Sequence, residues 1–180
     1  METHTLKSIE DAISIHRPIA AESVRQWMLS DDDEVFGAVV ELVTSRDSWE
    51  RIEPPLDWDE VEPFLIAQYE RSIEGNPQGE WALSRFDACT GIVAWFRAVP
   101  EGEDLNAQRF LLRLRDMMRR LYLAGDEDIS DAIVCGALEH ILEEPRWRGF
   151  FKDWDEHPDL HIAYEQAMEW AIRCTNPPYS

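Results

Sequence analysis

Apolar residues recur along this chain at intervals of three and four, the spacing of one face of an α-helix, and strict alternation is nowhere sustained. Helix-stopping residues divide the pattern. Ser8 suits the cap of a short helix that runs to about His16 and ends before Pro18, and a second helix occupies about 20–29. Ser30 followed by Asp31, Asp32, Asp33 and Glu34 reads as a serine cap with acids in the first turn, where the helix dipole favours negative charge. Val35, Phe36, Val39, Val40 and Val43 continue at helical spacing. Residues 47–57, with Pro54 and Pro55 together, read as a loop. Asp57 and Glu60 form a capping-box-like pair for a helix that carries Pro63 in an early, tolerated position and ends at Gly75, Asn76, Pro77 and Gly79.

The helix predicted over 80–99 has Trp81, Leu83, Phe86, Cys89, Ile92, Val93, Trp95 and Phe96 around most of its circumference, the mark of a central element. The longest pattern, 103–124, sets an apolar stripe (Leu105, Phe110, Leu111, Leu114, Met117, Met118, Leu121, Tyr122) against five arginines, with Gly125 as its stop. Asp126, Glu127 and Asp128 open a further helix that reaches Glu144 before Pro145. After Trp147, Phe150, Phe151 and Trp154, Pro158 stands in the first turn of a last helix with Leu160, Tyr164, Met168, Trp170 and Ala171. These elements predict an all-α fold: one acidic domain over residues 1–180, a helical bundle or orthogonal array of six to eight helices.

Charge changes the picture more than composition does. Thirty-seven acids against 17 bases give a formal net charge of -20. The first sixty residues carry -10, the middle sixty -1 and the last sixty -9, so two acidic segments flank a near-neutral centre. Such a field repels nucleic acid and anionic membranes and attracts basic proteins. With 44% hydrophobic residues and eight Trp, this is not a disordered acidic tail. The N-terminal residues lack the apolar run of a signal peptide, and no run of about 18 apolar residues offers a membrane span, which makes the cytoplasm the expected location. Three cysteines without CxxC spacing suit a reducing compartment, with Cys89 and Cys135 expected as small buried hydrophobes in apolar runs.

Catalytic and cofactor chemistry find little footing, so no enzyme, no cofactor and no metal are expected. Neither GxGxxG nor GxxxxGK[ST] is present, and no serine lies in GxSxG. His157, His161 and Glu165 share a helical spacing that can hold a metal, but the general-base Glu of HExxH is missing. Asp126, Asp128 and Ser130 begin like a calcium loop that then lacks its turn Gly, where Asp131 stands, and its final Glu, where Ala137 stands. Arg109, Arg113, Arg115, Arg119 and Arg120 are expected to pair with local acids such as Asp116 and Glu103 rather than with nucleic acid.

One segment carries a resemblance. Leu123-Ala124-Gly125-Asp126, Asp131-Ala132-Ile133-Val134 and Gly136-Ala137-Leu138-Glu139, followed by Phe150-Phe151, Trp154, Leu160 and Trp170, resemble a group of uncharacterised bacterial helical proteins found with polymorphic toxins and secretion effectors. The resemblance covers about residues 115–172. It implies an immunity (antitoxin) role, in which the chain binds a cognate protein toxin with a basic surface and blocks it without catalysis. The residues expected to supply the electrostatic contact are Asp31, Asp32 and Asp33, or Asp153, Asp155 and Glu156. The alternative expectation is a DNA-mimic inhibitor of an anti-restriction or anti-CRISPR type, which needs the same acidity and the same lack of chemistry.

Overall fold

The computed structural model describes residues 2–100 and 104–175. It is 76% helical, with two short strands among the described residues, an all-α fold. The chain divides into two compact units, Met1–Ser84 and Arg85–Ser180.

The first unit contains α1 (Glu2–Ser14), β1 (Ile19–Ala20), α2 (Ala21–Trp27), α3 (Asp33–Thr44), α4 (Arg46–Glu50), β2 (Ile52–Glu53) and α5 (Trp58–Gly75). α3 is its centre, packed by α1, α2, α4 and α5. Val35, Ala38, Val39 and Leu42 are buried on it, as the three- and four-residue spacing demands. Ile9 of α1, Val24 of α2 and Leu65, Tyr69 and Ile73 of α5, on the helices that pack against it, are buried as well. Gly37 lets another segment press against this helix. A Cβ there would lie 1.7 Å from the backbone oxygen of Trp81.

Several predicted boundaries shift, each for a local reason. α1 begins well before Ser8, whose hydroxyl donates to the His4 carbonyl four residues back instead of capping (2.8 Å). Asp32, not Ser30, caps α3: its Oδ1 accepts from the backbone amides of Glu34 (2.9 Å) and Val35 (3.1 Å), while Ser30 Oγ accepts from the Asp32 amide. Such a cap contributes about 1 kcal/mol. The capping box at α5 forms by half. Asp57 Oδ1 accepts from the Asp59 amide (3.1 Å), but Glu60 turns away to a two-pronged pair with Arg25 (2.6 and 3.1 Å). α5 ends at Asn76, which takes the left-handed conformation (φ 46°) and donates its amide to Ser72 O. The expected loop 47–57 holds the short α4 and β2, and β2 lies parallel to β1 in the register Ile19↔Ile52, Ala20↔Glu53.

The second unit contains α6 (Arg85–Ala98), α7 (Leu105–Ala124), α8 (Glu127–Ile133), a π-helical turn (Val134–Leu138), α9 (Glu139–Leu142), α10 (Pro145–Arg148), a 3₁₀ turn (Gly149–Phe151), α11 (Lys152–Asp155) and α12 (His161–Thr175). The helix expected over 80–99 therefore begins at Arg85, and the expected single helix of 126–144 is a rod that widens at its middle turn. α6 packs against that π turn, where a Cβ on Gly136 would stand 3.0 Å from Cys89 Cβ and 3.1 Å from the Phe86 ring. α12 packs on α9, the π turn and α11 through Ala163, Ala167 and Ala171, all fully buried. An aromatic cluster fills the interior. Phe96 lies 5.3 Å from Trp147 and 5.7 Å from Phe151, and Phe151 lies 5.8 Å from Trp154. Edge-on pairs such as Phe96–Trp147 and Phe151–Trp154 contribute about 1 kcal/mol beyond their buried area.

Candidate acidic interface

The arginines decide where the negative charge ends up, because many of them point at the backbone. The Arg51 guanidinium reaches the end of α1 and donates to the carbonyls of Ala12 (2.9 Å), Ile13 (3.3 Å), Ile15 (2.8 Å) and Arg17 (3.1 Å). Arg146 does the same at the end of α6, with the carbonyls of Phe96, Arg97 and Val99. Arg148 Nε donates to Leu142 O (3.0 Å), the last residue of α9. Helix C-termini expose carbonyls and carry partial negative charge, so a guanidinium suits them. Arg51 also lies 3.2 Å from the Asp47 carboxylate and Arg146 pairs with Glu144 (2.7 Å), so these guanidinium groups divide their donors between helix ends and acids.

The first expected cluster is mostly occupied with folding. Asp32 is the α3 cap. Asp33 pairs with Arg71 Nε (2.8 Å), and the same guanidinium donates to the Asp31 carbonyl. Only Asp31 of the three is exposed. In the second cluster Asp153 is half-buried and lies 3.3 Å from Arg115 and 3.8 Å from Arg119. Arg115 also meets Asp116 (3.2 Å) and donates to Phe150 O, so the arginine stripe of α7 is engaged from both sides. Glu103, the other acid expected to serve it, lies outside the described residues. Asp155 and Glu156 remain at the surface. Asp155 Oδ1 contacts His161 Nδ1 (3.0 Å), and Glu156 contacts Lys152 (3.1 Å). The two clusters lie in separate units, so the structure describes two acidic surfaces.

The histidines of the metal-like spacing have other partners. His157 Nδ1 accepts from the Asp159 amide (3.2 Å), and His161 sits between Asp155 and Glu165 Oε1 (3.3 Å). No group of three ligating side chains that could hold a metal gathers among the described residues. Cys135 is exposed, against the expectation of burial. It falls on a polar stripe of the rod, four residues after Asp131 and four before Glu139. Partial burial and the carboxylates of Glu139 and Asp131 push its thiol above the usual range, which disfavours the nucleophilic thiolate. Burial lifts Cys89 further, to about 12.

The surface beside Asp155 holds a feature that the helical pattern does not announce. A groove of about 600 Å³ runs along α12, lined by Asp155, Ile162, Tyr164, Glu165, Met168, Glu169 and Ile172. Ile162 is 61% exposed and Ile172 46%. Glu165 and Glu169 stand beside them, with side chains 65% and 72% exposed. The signal available in the sequence was an isoleucine pair ten residues apart with acids between, off the alanine face of the same helix.

Comparison with protein-family models, with curated proteins and with solved structures finds no match to this chain. Among the described residues no helix is long and apolar enough to cross a membrane.

Proposed function

We propose that this chain is an immunity protein: it binds a cognate basic protein toxin through its acidic surface and neutralises it without catalysis. The observation that supports the reading is the division of labour between charges. Arg51 and Arg146 serve helix ends as well as Asp47 and Glu144, Arg148 serves a helix end and Arg115 serves Asp153, while Asp155, Glu156, Glu165 and Glu169 stay exposed with surface partners alone. A molecule of net charge -20 with that distribution associates quickly with a basic active-site face, and salt weakens the attraction. The resemblance over residues 115–172 points the same way.

The test is capture of the tagged chain's partner from its native cell lysate, with low- and high-salt washes, followed by a toxicity assay. The expected result is one stoichiometric basic protein, released by salt, whose toxicity the chain suppresses. Reversing Asp155 and Glu156 to Lys is expected to weaken that complex at least tenfold and to flatten its salt dependence. Reversing Asp31 tests the other surface, since Asp32 and Asp33 cannot be changed without disturbing α3. Unchanged affinity for both variants would remove the acidic mapping. Recovery of a restriction or CRISPR complex instead would replace the toxin reading by the DNA-mimic one.

A further inference from the structure

We infer that the groove along α12 receives a basic amphipathic segment of the partner protein. The apolar side chains of that segment seat between Ile162 and Ile172, and its Arg or Lys residues meet Asp155, Glu165 and Glu169. The inference deepens the immunity reading and rests on it for the nature of the partner. The groove itself is a property of the second unit alone.

Three observations select the occupant. The first is the combination of surfaces. Tyr164 and Met168 form a half-buried floor, the two exposed isoleucines stand at either end, and carboxylates line the rim. An apolar strip with like charges along it is matched by an amphipathic chain of the opposite charge. The second is the weakness of the rim's own pairs. Glu169 meets Arg173 only at 3.8 Å, and Asp155 and Glu165 share the single imidazole of His161. Exposed pairs of this kind contribute roughly 0–1 kcal/mol, so an incoming guanidinium displaces them at small cost. The third is the net charge. A second copy of this chain would bring the same carboxylates and the same charge of -20, and an anionic lipid surface or a nucleic acid would likewise be repelled. The spacing sets the length: ten residues of helix separate Ile162 from Ile172, about 15 Å, or three turns of a helical segment.

A synthetic 16-residue peptide with Leu on one helical face and Arg on the other is the probe, titrated against the full chain by calorimetry. Its control has the same composition in an order that scatters the leucines. The chain is expected to bind the amphipathic peptide at least tenfold more tightly than the control. The double substitution Ile162→Ser with Ile172→Ser, on exposed positions, is expected to remove that preference. Glu165→Gln with Glu169→Gln is expected to weaken binding and to flatten its salt dependence, with circular dichroism confirming that both variants keep their helices. Equal affinity for the two peptides, or a preference untouched by the Ile→Ser pair, overturns the inference. So does a concentration-dependent dimer that the Ile→Ser pair abolishes, because a second copy would then be the occupant. The two readings fail separately. A captured toxin that binds the Ile→Ser variant unchanged removes the groove and keeps immunity, whereas a peptide preference without any toxin partner keeps the groove and removes immunity.

Discussion

Replacing Gly37 by alanine is expected to destabilise the first unit by about 3 kcal/mol, at the top of the range for overpacking a core. The added methyl would sit 1.7 Å from the Trp81 backbone oxygen and 3.3 Å from the Ala82 Cα. Neither is the far end of a flexible side chain that could swing aside. The Trp81 segment is also held from a second direction. Glu34 Oε1 and Oε2 accept from the backbone amides of Glu80 (2.9 Å) and Trp81 (2.7 Å), and Trp81 Nε1 donates to Glu10 (3.0 Å). Accommodating the methyl would break those bonds or push α3 out of its core. Gly149→Ala is the matched control. Gly149 has helical backbone angles, and its Cβ would meet nothing within 4 Å. There the same change is expected to stabilise by about 0.5 kcal/mol, because alanine loses less backbone freedom on folding. Urea unfolding followed by hydrogen exchange in each unit reads both effects. A Gly37→Ala protein as stable as the parent would show that the close approach of Trp81 to α3 is wrong.

The second large effect is expected at Arg51. Its guanidinium gathers four carbonyls at the end of α1, donates to Ser48 Oγ (3.2 Å) and lies 3.2 Å from the Asp47 carboxylate, while its side chain is only 14% exposed. The next residues, Ile52–Glu53, pair with Ile19–Ala20, and Ile19 N donates to Arg51 O (2.8 Å). One side chain thus ties α1 to the strand pair. Arg51→Met keeps most of the stem but leaves those carbonyls without their charged donor, and is expected to cost about 3 kcal/mol, given that bonds to charged groups contribute roughly 1.5–3 kcal/mol and do not add fully. Arg51→Lys is expected to recover less than half of the loss, since one ammonium lacks the planar fork that serves several acceptors at once. A loss below about 1 kcal/mol on the same urea curves would mean that water replaces the guanidinium at these carbonyls.

The helices were legible in the sequence because apolar spacing is a statement about faces, and faces are local. Seven helical stretches among the described residues run three turns or more, counting α8 to α9 as one rod, and all seven lie under expected helical patterns. The short turns α4, α10 and α11 were not legible, because one turn is too brief to show a period. Where several residues could do the same task, the pattern was ambiguous. Ser30 and Asp32 are both good caps, and the choice fell to the one whose carboxylate reaches two amides. Cys135 was misread as buried because its apolar neighbours outweighed the acids four residues to either side.

The acidic surfaces show the same limit at longer range. Composition announces a charge of -20 but not which carboxylates are consumed by folding. Asp33 and Asp153 have arginines brought to them from α5 and α7, 38 positions along the chain in each case. Asp155 and Glu156, two and three residues further on, stay outside. The arginine stripe of α7 was expected to find local acids, and Asp116 is one, but Asp153 comes from another element. The groove on α12 was hidden for a different reason. Isoleucine reads as core wherever it occurs, and only the placement of α11 and α12 shows that Ile162 and Ile172 face outward.

The carbonyl-bound arginines have a consequence in acid. A guanidinium stays charged at any pH the protein meets, and a backbone carbonyl does not titrate. The clasps of Arg51, Arg146 and Arg148 on their helix ends therefore persist as the medium is acidified. The bond to Arg25 holds the Glu60 carboxyl below its ordinary value, so the stabilisation from that pair is present above the unfolded carboxylate range and disappears only as the pH falls through the lower, folded value. Acid therefore removes the Arg25–Glu60 pair while the arginine clasps keep both their charge and their acceptors.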